Sequence, residues 1–112
     1  MISLNPEALG NVKAGLKTIE GRLNSPRFKD LEPGNFITFY YNQDNVRVKV
    51  VKLEAYKNFD VMLKRVDLSK LNPKAEKQEE IIKVYRKPTG FYTEEKEKEH
   101  GVLAIYLELA EE

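Results

Sequence analysis

Gly15-Leu16-Lys17-Thr18-Ile19-Glu20-Gly21-Arg22 is the stretch on which the reading of this chain turns. It sets three ionisable side chains where a helical spacing gives way to a strand alternation. Upstream, Asn5 suits a helix cap and Pro6 a first helical turn. Leu9, Val12 and Leu16 recur at helical spacing, and Gly15 supplies a stop, so a short helix is predicted over 6–14. Lys17–Asn24 then reads as a strand, with Gly21 as a point of close approach. Alternation puts Thr18, Glu20 and Arg22 on one face and Lys17, Ile19 and Leu23 on the other. Ile19 and Leu23 should face the core, while the long stem of Lys17 can bend around the strand mouth. A carboxylate between two cations suits an anionic or amide-bearing ligand.

Further along, the patterns alternate between sheet and helix. Ser25–Pro33 is a charged, proline-bearing loop, and Glu32-Pro33-Gly34-Asn35 is a turn signal. Phe36–Tyr41 is a strand by its aromatic and β-branched content. Asn42-Gln43-Asp44-Asn45 is predicted as a four-residue hairpin loop into a second strand, Val46–Leu53. There Val46, Val48 and Val50 face inward and Arg47 and Lys49 outward, and the doublet Val50-Val51 marks a bulge or two-sided burial. Phe59, Met62, Leu63 and Val66 predict a helix near 58–65, with one further turn at 67–71 ended by Asn72-Pro73. Ile81, Ile82 and Tyr85 predict a helix over 75–86, ended by Lys87-Pro88-Thr89-Gly90. Thr93 caps a short acidic turn, Glu94–Glu99, read as a solvated face. Val102–Leu107 is an apolar strand expected to lie centrally in the sheet.

The 112 residues fit one domain, 1–112, long enough to bury a modest core. Charged residues make up 33%, above the usual quarter, as on heat-stable surfaces rich in Lys and Glu. Without cysteine, disulfides, thiolate nucleophiles and zinc–thiolate sites are excluded. The one histidine, His100, reads as a turn residue or helix-end cation, and no metal shell of nitrogen and sulfur can be built. No basic head with an apolar run opens the sequence, and no apolar stretch approaches the roughly 18 residues of a membrane helix. A soluble, cytoplasmic monomer without a cofactor is expected. The net charge of +1 does not advertise nucleic acid. Its distribution says more, because Lys13, Lys17, Arg22, Arg27 and Lys29 face a single acid, Glu20, between residues 13 and 29.

Three segments carry a family likeness. Gly15-x-Lys17-x-x-Glu20-x-Arg22 resembles the signature of the ASCH domain family. Leu31-x-Pro33-Gly34-Asn35-x-Ile37 is similar to its loop into the next strand. Tyr85, Phe91-Tyr92 and Glu99-His100-Gly101-Val102-Leu103-Ala104-Ile105 resemble its C-terminal end. The likeness runs over nearly the whole chain. It implies an α+β fold: a small PUA-like antiparallel or mixed β-barrel with short helices inserted between strands. A cleft would lie between barrel and helices. It also implies RNA binding, the role widely associated with members. Some small bacterial members are amidohydrolases on acetylated cytidine that use a lysine, a threonine and a glutamate. Lys17 corresponds to that lysine, whereas Glu20 stands at the threonine's place. A further catalytic carboxylate would come from Glu76, Glu79 or Glu80.

Two functions follow as expectations. The first is an RNA- or nucleotide-binding domain whose charged cleft uses Lys17, Thr18, Glu20, Arg22, Arg27, Tyr85 and Tyr92. Arg22 would fork onto phosphate or a base edge, and Glu20 would accept from an exocyclic amine. Tyr85, Phe91 and Tyr92 would stack a base, with Arg27 and Lys29 following the backbone. The second is a hydrolase of a modified nucleoside amide, with Lys17 and Glu20 catalytic. The plainest alternative is an exposed Glu20–Arg22 pair bracing a strand, worth about 0–1 kcal/mol. Tyr85 at helical spacing equally suits a core edge.

Overall fold

The computed structural model describes residues 1–75, 77–85 and 93–110, with the backbone alone for residues 84 and 85. The strands are β1 (Ile2–Ser3), β2 (Ile19–Leu23), β3 (Phe36–Tyr41), β4 (Asp44–Tyr56) and β5 (Val102–Leu109). The helices are α1 (Pro6–Lys13), α2 (Phe59–Arg65), α3 (Leu68–Leu71), α4 (Gln78–Tyr85) and α5 (Glu94–His100), with a 3₁₀ turn at Pro26–Phe28. The strands form one mixed sheet in the order β1-β3-β4-β5-β2, parallel only between β1 and β3. The sheet curls into a half-barrel with short helices against it. Among the described residues, no helix is long and apolar enough to cross a membrane.

Each face of the sheet buries its own apolar set. On the concave face, Leu9 and Val12 of α1 pack with Phe39, Val48, Val50, Ile105 and Leu107. On the outer face, Ile19, Val102 and Ala104 pack under Phe59, Met62 and Leu63 of α2, with Leu71 and Ile81 beside them. β5 therefore buries both of its faces, which explains its unbroken apolar run. Of the two alternatives at Val50-Val51, a bulge or two-sided burial, the bulge is present: Val50 pairs with Leu107 and Lys52 with Tyr106, leaving Val51 unmatched.

Local chemistry sets the element ends. Asn5 Oδ1 accepts from Ala8 N at 2.8 Å, and Asn58 Oδ1 accepts from Val61 N at 2.9 Å. The hairpin is tighter than expected. Asp44 and Asn45 belong to β4, where they pair with Tyr41 and Tyr40, and the turn is only Asn42-Gln43. Asn42 makes this possible by taking φ +53°, a left-handed conformation that asparagine tolerates. Gly101, at φ +71°, ends α5 where a Cβ would stand 2.8 Å from the Tyr56 carbonyl oxygen, so only glycine fits unstrained. The two-residue β1 carries no readable alternation and was not anticipated.

The acidic helix α5 is not uniformly solvated. Glu97 is 2% exposed, and its Oε1 accepts from the backbone N–H of Phe59 at 2.9 Å. A carboxylate is thereby set at the N-terminus of α2, where the helix dipole favours it. Replacing Glu97 with Ala should cost about 1–3 kcal/mol by leaving a buried donor unsatisfied. Glu97→Gln keeps an acceptor and should recover part of the loss. Urea unfolding of the two variants checks this, and equal stability of Glu97→Ala and the parent would remove the capping role.

Candidate functional site

The strand predicted to start at Lys17 begins at Ile19, because the preceding residues close helix α1. The amides of Leu16 and Lys17 both donate to the Asn11 carbonyl, after Gly15 turns the chain at φ +76°. Thr18 is held by its backbone: its N–H donates to Lys70 O at 2.9 Å, and its carbonyl accepts from Leu107 N at 2.8 Å. Strand alternation therefore does not reach Lys17, and its side chain folds back to the same side as Glu20.

Lys17 is 7% exposed and Glu20 5%. The Lys17 ammonium donates to Ile19 O at 2.7 Å and Leu71 O at 2.6 Å, and lies 3.3 Å from Glu20 Oε1. Two carbonyls thus accept hydrogen bonds from the ammonium, and the Glu20 carboxylate stands beside it at ion-pair distance. Glu20 Oε2 accepts from Arg22 Nε at 2.9 Å and lies 2.8 Å from Arg22 Nη2. The same Nη2 donates to Ser3 O at 3.0 Å. A continuous polar chain therefore runs from α3 through Lys17, Glu20 and Arg22 to β1. It joins the two edge strands of the half-barrel, and its Lys17–Glu20 part is buried with Arg22 half-buried, in contrast to the exposed pair weighed from spacing alone.

This chain forms one wall of a cavity of about 410 Å³, a size suited to a small ligand or a nucleotide. Ser3, Asn5, Glu7 and Asn11 contribute from the β1–α1 side, and Leu71, Asn72, Pro73 and Ile81 from the helical side. At the mouth, Glu7 on α1 pairs with Lys74 at 3.2 Å, an exposed contact worth little. Asn5, Asn11 and Asn72 were not foreseen as wall residues. Asn5 was legible only as a cap, and its place depends on β1 docking in parallel on β3.

The cavity brings together Lys17, Glu20 and Arg22, but not every expected residue. Thr18 is not in its lining. Arg27 lies exposed elsewhere, donating to Met1 O at 3.0 Å with its guanidinium 5.3 Å from the Phe28 ring centroid. Lys29 and His100 line a separate groove, with His100 Nε2 3.7 Å from Glu99. Glu79 and Glu80 are exposed on α4, whose contribution to the wall is Ile81. Tyr85 belongs to α4, of which only the backbone is described there. Glu76, Phe91 and Tyr92 fall outside the described residues. No group of acidic or histidine side chains able to hold a metal occurs among the described residues.

With this geometry in view, the likeness drawn from the motifs can be checked over the whole chain. The model of the family described as "ASCH domain" matches residues 2–111. The chain belongs to the ASCH domain family. Its half-barrel is the PUA-like fold of that family, which is often associated with RNA binding. The crystal structure of the hypothetical protein PH0355 is similar at TM-score 0.87 and 37% identity, over 97% of this chain and 96% of that one. The solution structure of protein PF0455 from Pyrococcus furiosus is similar at TM-score 0.77 and 37% identity, over 99% and 96% of the two chains. No curated protein matches the chain.

In this ASCH domain, Glu20→Ala should cost about 3–5 kcal/mol, because it strands a buried ammonium beside a guanidinium. Arg22→Ala removes hydrogen bonds to a charged group at a more exposed position, and should cost about 1.5–3 kcal/mol. Denaturant melts of both variants test the ranking. The reverse order would mean that Lys17 is not held chiefly by Glu20.

Proposed function

We propose that this domain binds RNA, or a nucleotide unit of it, in the cavity walled by Lys17, Glu20 and Arg22. The observation that carries the reading is the buried carboxylate of Glu20, fixed between two cations on the cavity wall. With Glu7 at the mouth neutralised by Lys74, Lys17 and Arg22 against Glu20 leave a local excess that favours phosphate. The Glu20 carboxylate matches an exocyclic amine of a base. Pro73 and Ile81 offer apolar surface to a ring, and Asn5, Asn11 and Asn72 offer amide donors and acceptors to its edge. Because Lys17 and Arg22 hold the carboxylate in place, a ligand meets a preorganised wall and little side-chain entropy is lost on binding. The family's association with RNA supports the same reading.

One feature favours hydrolysis of a modified nucleoside amide as a second reading: the Lys17 ammonium and Glu20 carboxylate lie within 3.3 Å of each other beside the cavity. Against it, Lys17 is already engaged by two carbonyls as well as by Glu20. Incubation with acetylated cytidine separates the two readings, and product formation that persists in Glu20→Gln would remove the role assigned to that carboxylate.

Titration with a single-stranded oligoribonucleotide tests the binding reading. Association should weaken as salt rises, since each phosphate contact on a single strand adds about 0.7 to the slope of log K against log salt. Arg22→Ala should weaken binding about tenfold, or about 1.4 kcal/mol, while the domain stays folded by circular dichroism. An absence of association at low salt would overturn the proposal.

A further inference from the structure

Among the described residues, the helices cover only half of the outer sheet face. Ile19, Val102 and Ala104 lie under α2 and its neighbours, while the β3–β4 half carries the exposed side chains Phe36, Arg47 and Lys49. Register fixes what that half presents. Phe36 pairs with Lys49, Thr38 with Arg47, Lys49 with Glu108 and Lys52 with Tyr106, so these side chains share one side of the sheet. Phe36 is 49% exposed, and Arg47, Lys49 and Lys52 are exposed as well.

Two cation–aromatic pairs organise this surface. The Arg47 guanidinium lies 3.9 Å from the Phe36 ring centroid, and the Lys52 ammonium 4.6 Å from that of Tyr106. The Phe36 ring takes up one face of the Arg47 guanidinium, and both side chains remain exposed. Where this half-face meets α2, Lys52, Tyr56, Arg65 and Tyr106 line a notch of about 480 Å³. The carboxylate in that notch is already occupied. Glu54 Oε1 accepts from the Tyr106 hydroxyl at 2.7 Å and the Tyr56 hydroxyl at 3.0 Å, with Lys52 at 3.7 Å. Those hydroxyls, Tyr106 foremost, hold Glu54 below the usual carboxylate range. By contrast, no carboxylate among the described residues lies within ion-pair distance of Arg47, Lys49 or Arg65.

We propose that this exposed half-face is a second binding surface, separate from the cavity, for single-stranded nucleic acid. Arg47, Lys49, Lys52 and Arg65 contact the phosphate backbone. Bases stack on the exposed Arg47–Phe36 pair and against Tyr106. Charge complementarity selects this occupant, because Arg47, Lys49 and Arg65, none within ion-pair distance of a described carboxylate, stand beside aromatic rings. With the Glu54-paired Lys52, they outnumber the two acids of this face, Glu54 and Glu108. A duplex keeps its bases stacked internally and cannot use the rings in this way.

The test is fluorescence anisotropy with a labelled twelve-nucleotide oligouridylate, together with a mononucleotide titration, on the full chain. The Arg47→Ala/Lys49→Ala double variant should bind the oligonucleotide at least tenfold more weakly. Its slope of log K against log salt should fall by about 1.4, two single-strand phosphate contacts at about 0.7 each. Its mononucleotide binding should not change. Phe36→Ala should weaken the oligonucleotide severalfold with the salt slope kept. Arg22→Ala should behave the other way, losing the mononucleotide while lowering the oligonucleotide salt slope by no more than one contact, about 0.7, so the two sites fail independently. All three sites are at least partly exposed, and circular dichroism of each variant confirms that it folds. Oligouridylate binding by the double variant equal to that of the parent would overturn the proposal. So would equal competition by a duplex or by polyglutamate, or a concentration-dependent dimer abolished by Phe36→Ala.

Discussion

The chain of charges that runs from the Leu71 carbonyl through the buried Lys17 and Glu20 and the half-buried Arg22 to the Ser3 carbonyl is the interaction on which the architecture depends. A five-stranded sheet in the order β1-β3-β4-β5-β2 has two open edges. An open edge is a row of unpaired backbone groups, and proteins manage it by pairing, covering or charging it. Here β1 and β2 are joined by a guanidinium rather than by a ladder, since Arg22 on one strand donates to a carbonyl of the other. At the other end, Lys17 ties β2 to the last turn of α3 through the Leu71 carbonyl. Side chains therefore bridge the gap in the barrel wall, and a gap bridged by side chains leaves a hollow that a backbone ladder would have filled.

That choice has an energetic meaning. A buried ion pair is a poor route to stability, because desolvation of the charges offsets most of their attraction, and apolar residues of the same volume often serve as well or better. Removing one member is nonetheless costly, because the others remain buried without a partner. Lys17 and Glu20 are 7% and 5% exposed, so both statements apply to them. A wall made this way is rigid, charged and held in one geometry, which are the properties of a preorganised binding surface. Stability alone does not account for it, and this is the physical ground for assigning the wall a ligand.

Much of the fold is legible from spacing. The Asn5-Pro6 cap, the central apolar β5 and one of the two alternatives at Val50-Val51, the bulge, follow from local rules that the tertiary structure leaves intact. The misreadings arise where a long-range partner decides. Glu97 sits in a lysine-interrupted acidic run that looks solvated, and it is buried only because the Phe59 amide lies 38 residues away in sequence and 2.9 Å away in space. The hairpin turn is two residues shorter than its polar run suggests, because Asn42 tolerates a positive φ and so lets the strands pair up to Tyr41 and Asp44. Of the candidate site, Lys17, Glu20 and Arg22 were visible because they lie on one segment. Asn5, Asn11 and Asn72 were not, because only the docking of β1 and α3 carries them to the same hollow. Thr18 shares the parity of Glu20 but precedes the strand, and its place is set by bonds to Lys70 and Leu107.

The two surfaces argued for here differ in how their charge is held, and the difference bears on what each can do. In the cavity, the cations are committed to a carboxylate and to backbone carbonyls, so their field is local and their geometry fixed. Such groups discriminate by shape and hydrogen-bond pattern, because a mismatched ligand leaves buried polar atoms unpaired. On the exposed half-face, Arg47 and Lys49 stand in water, where their attraction reaches about a Debye length and is weakened by salt. Such groups raise encounter rates and tolerate many sequences. A domain with both has the physical means to capture a strand loosely by its backbone and to test one unit of it closely. The near-neutral net charge of the chain conceals this, because the acidic residues that balance the sum are concentrated in its C-terminal part, 66–112, and most of them are on neither surface.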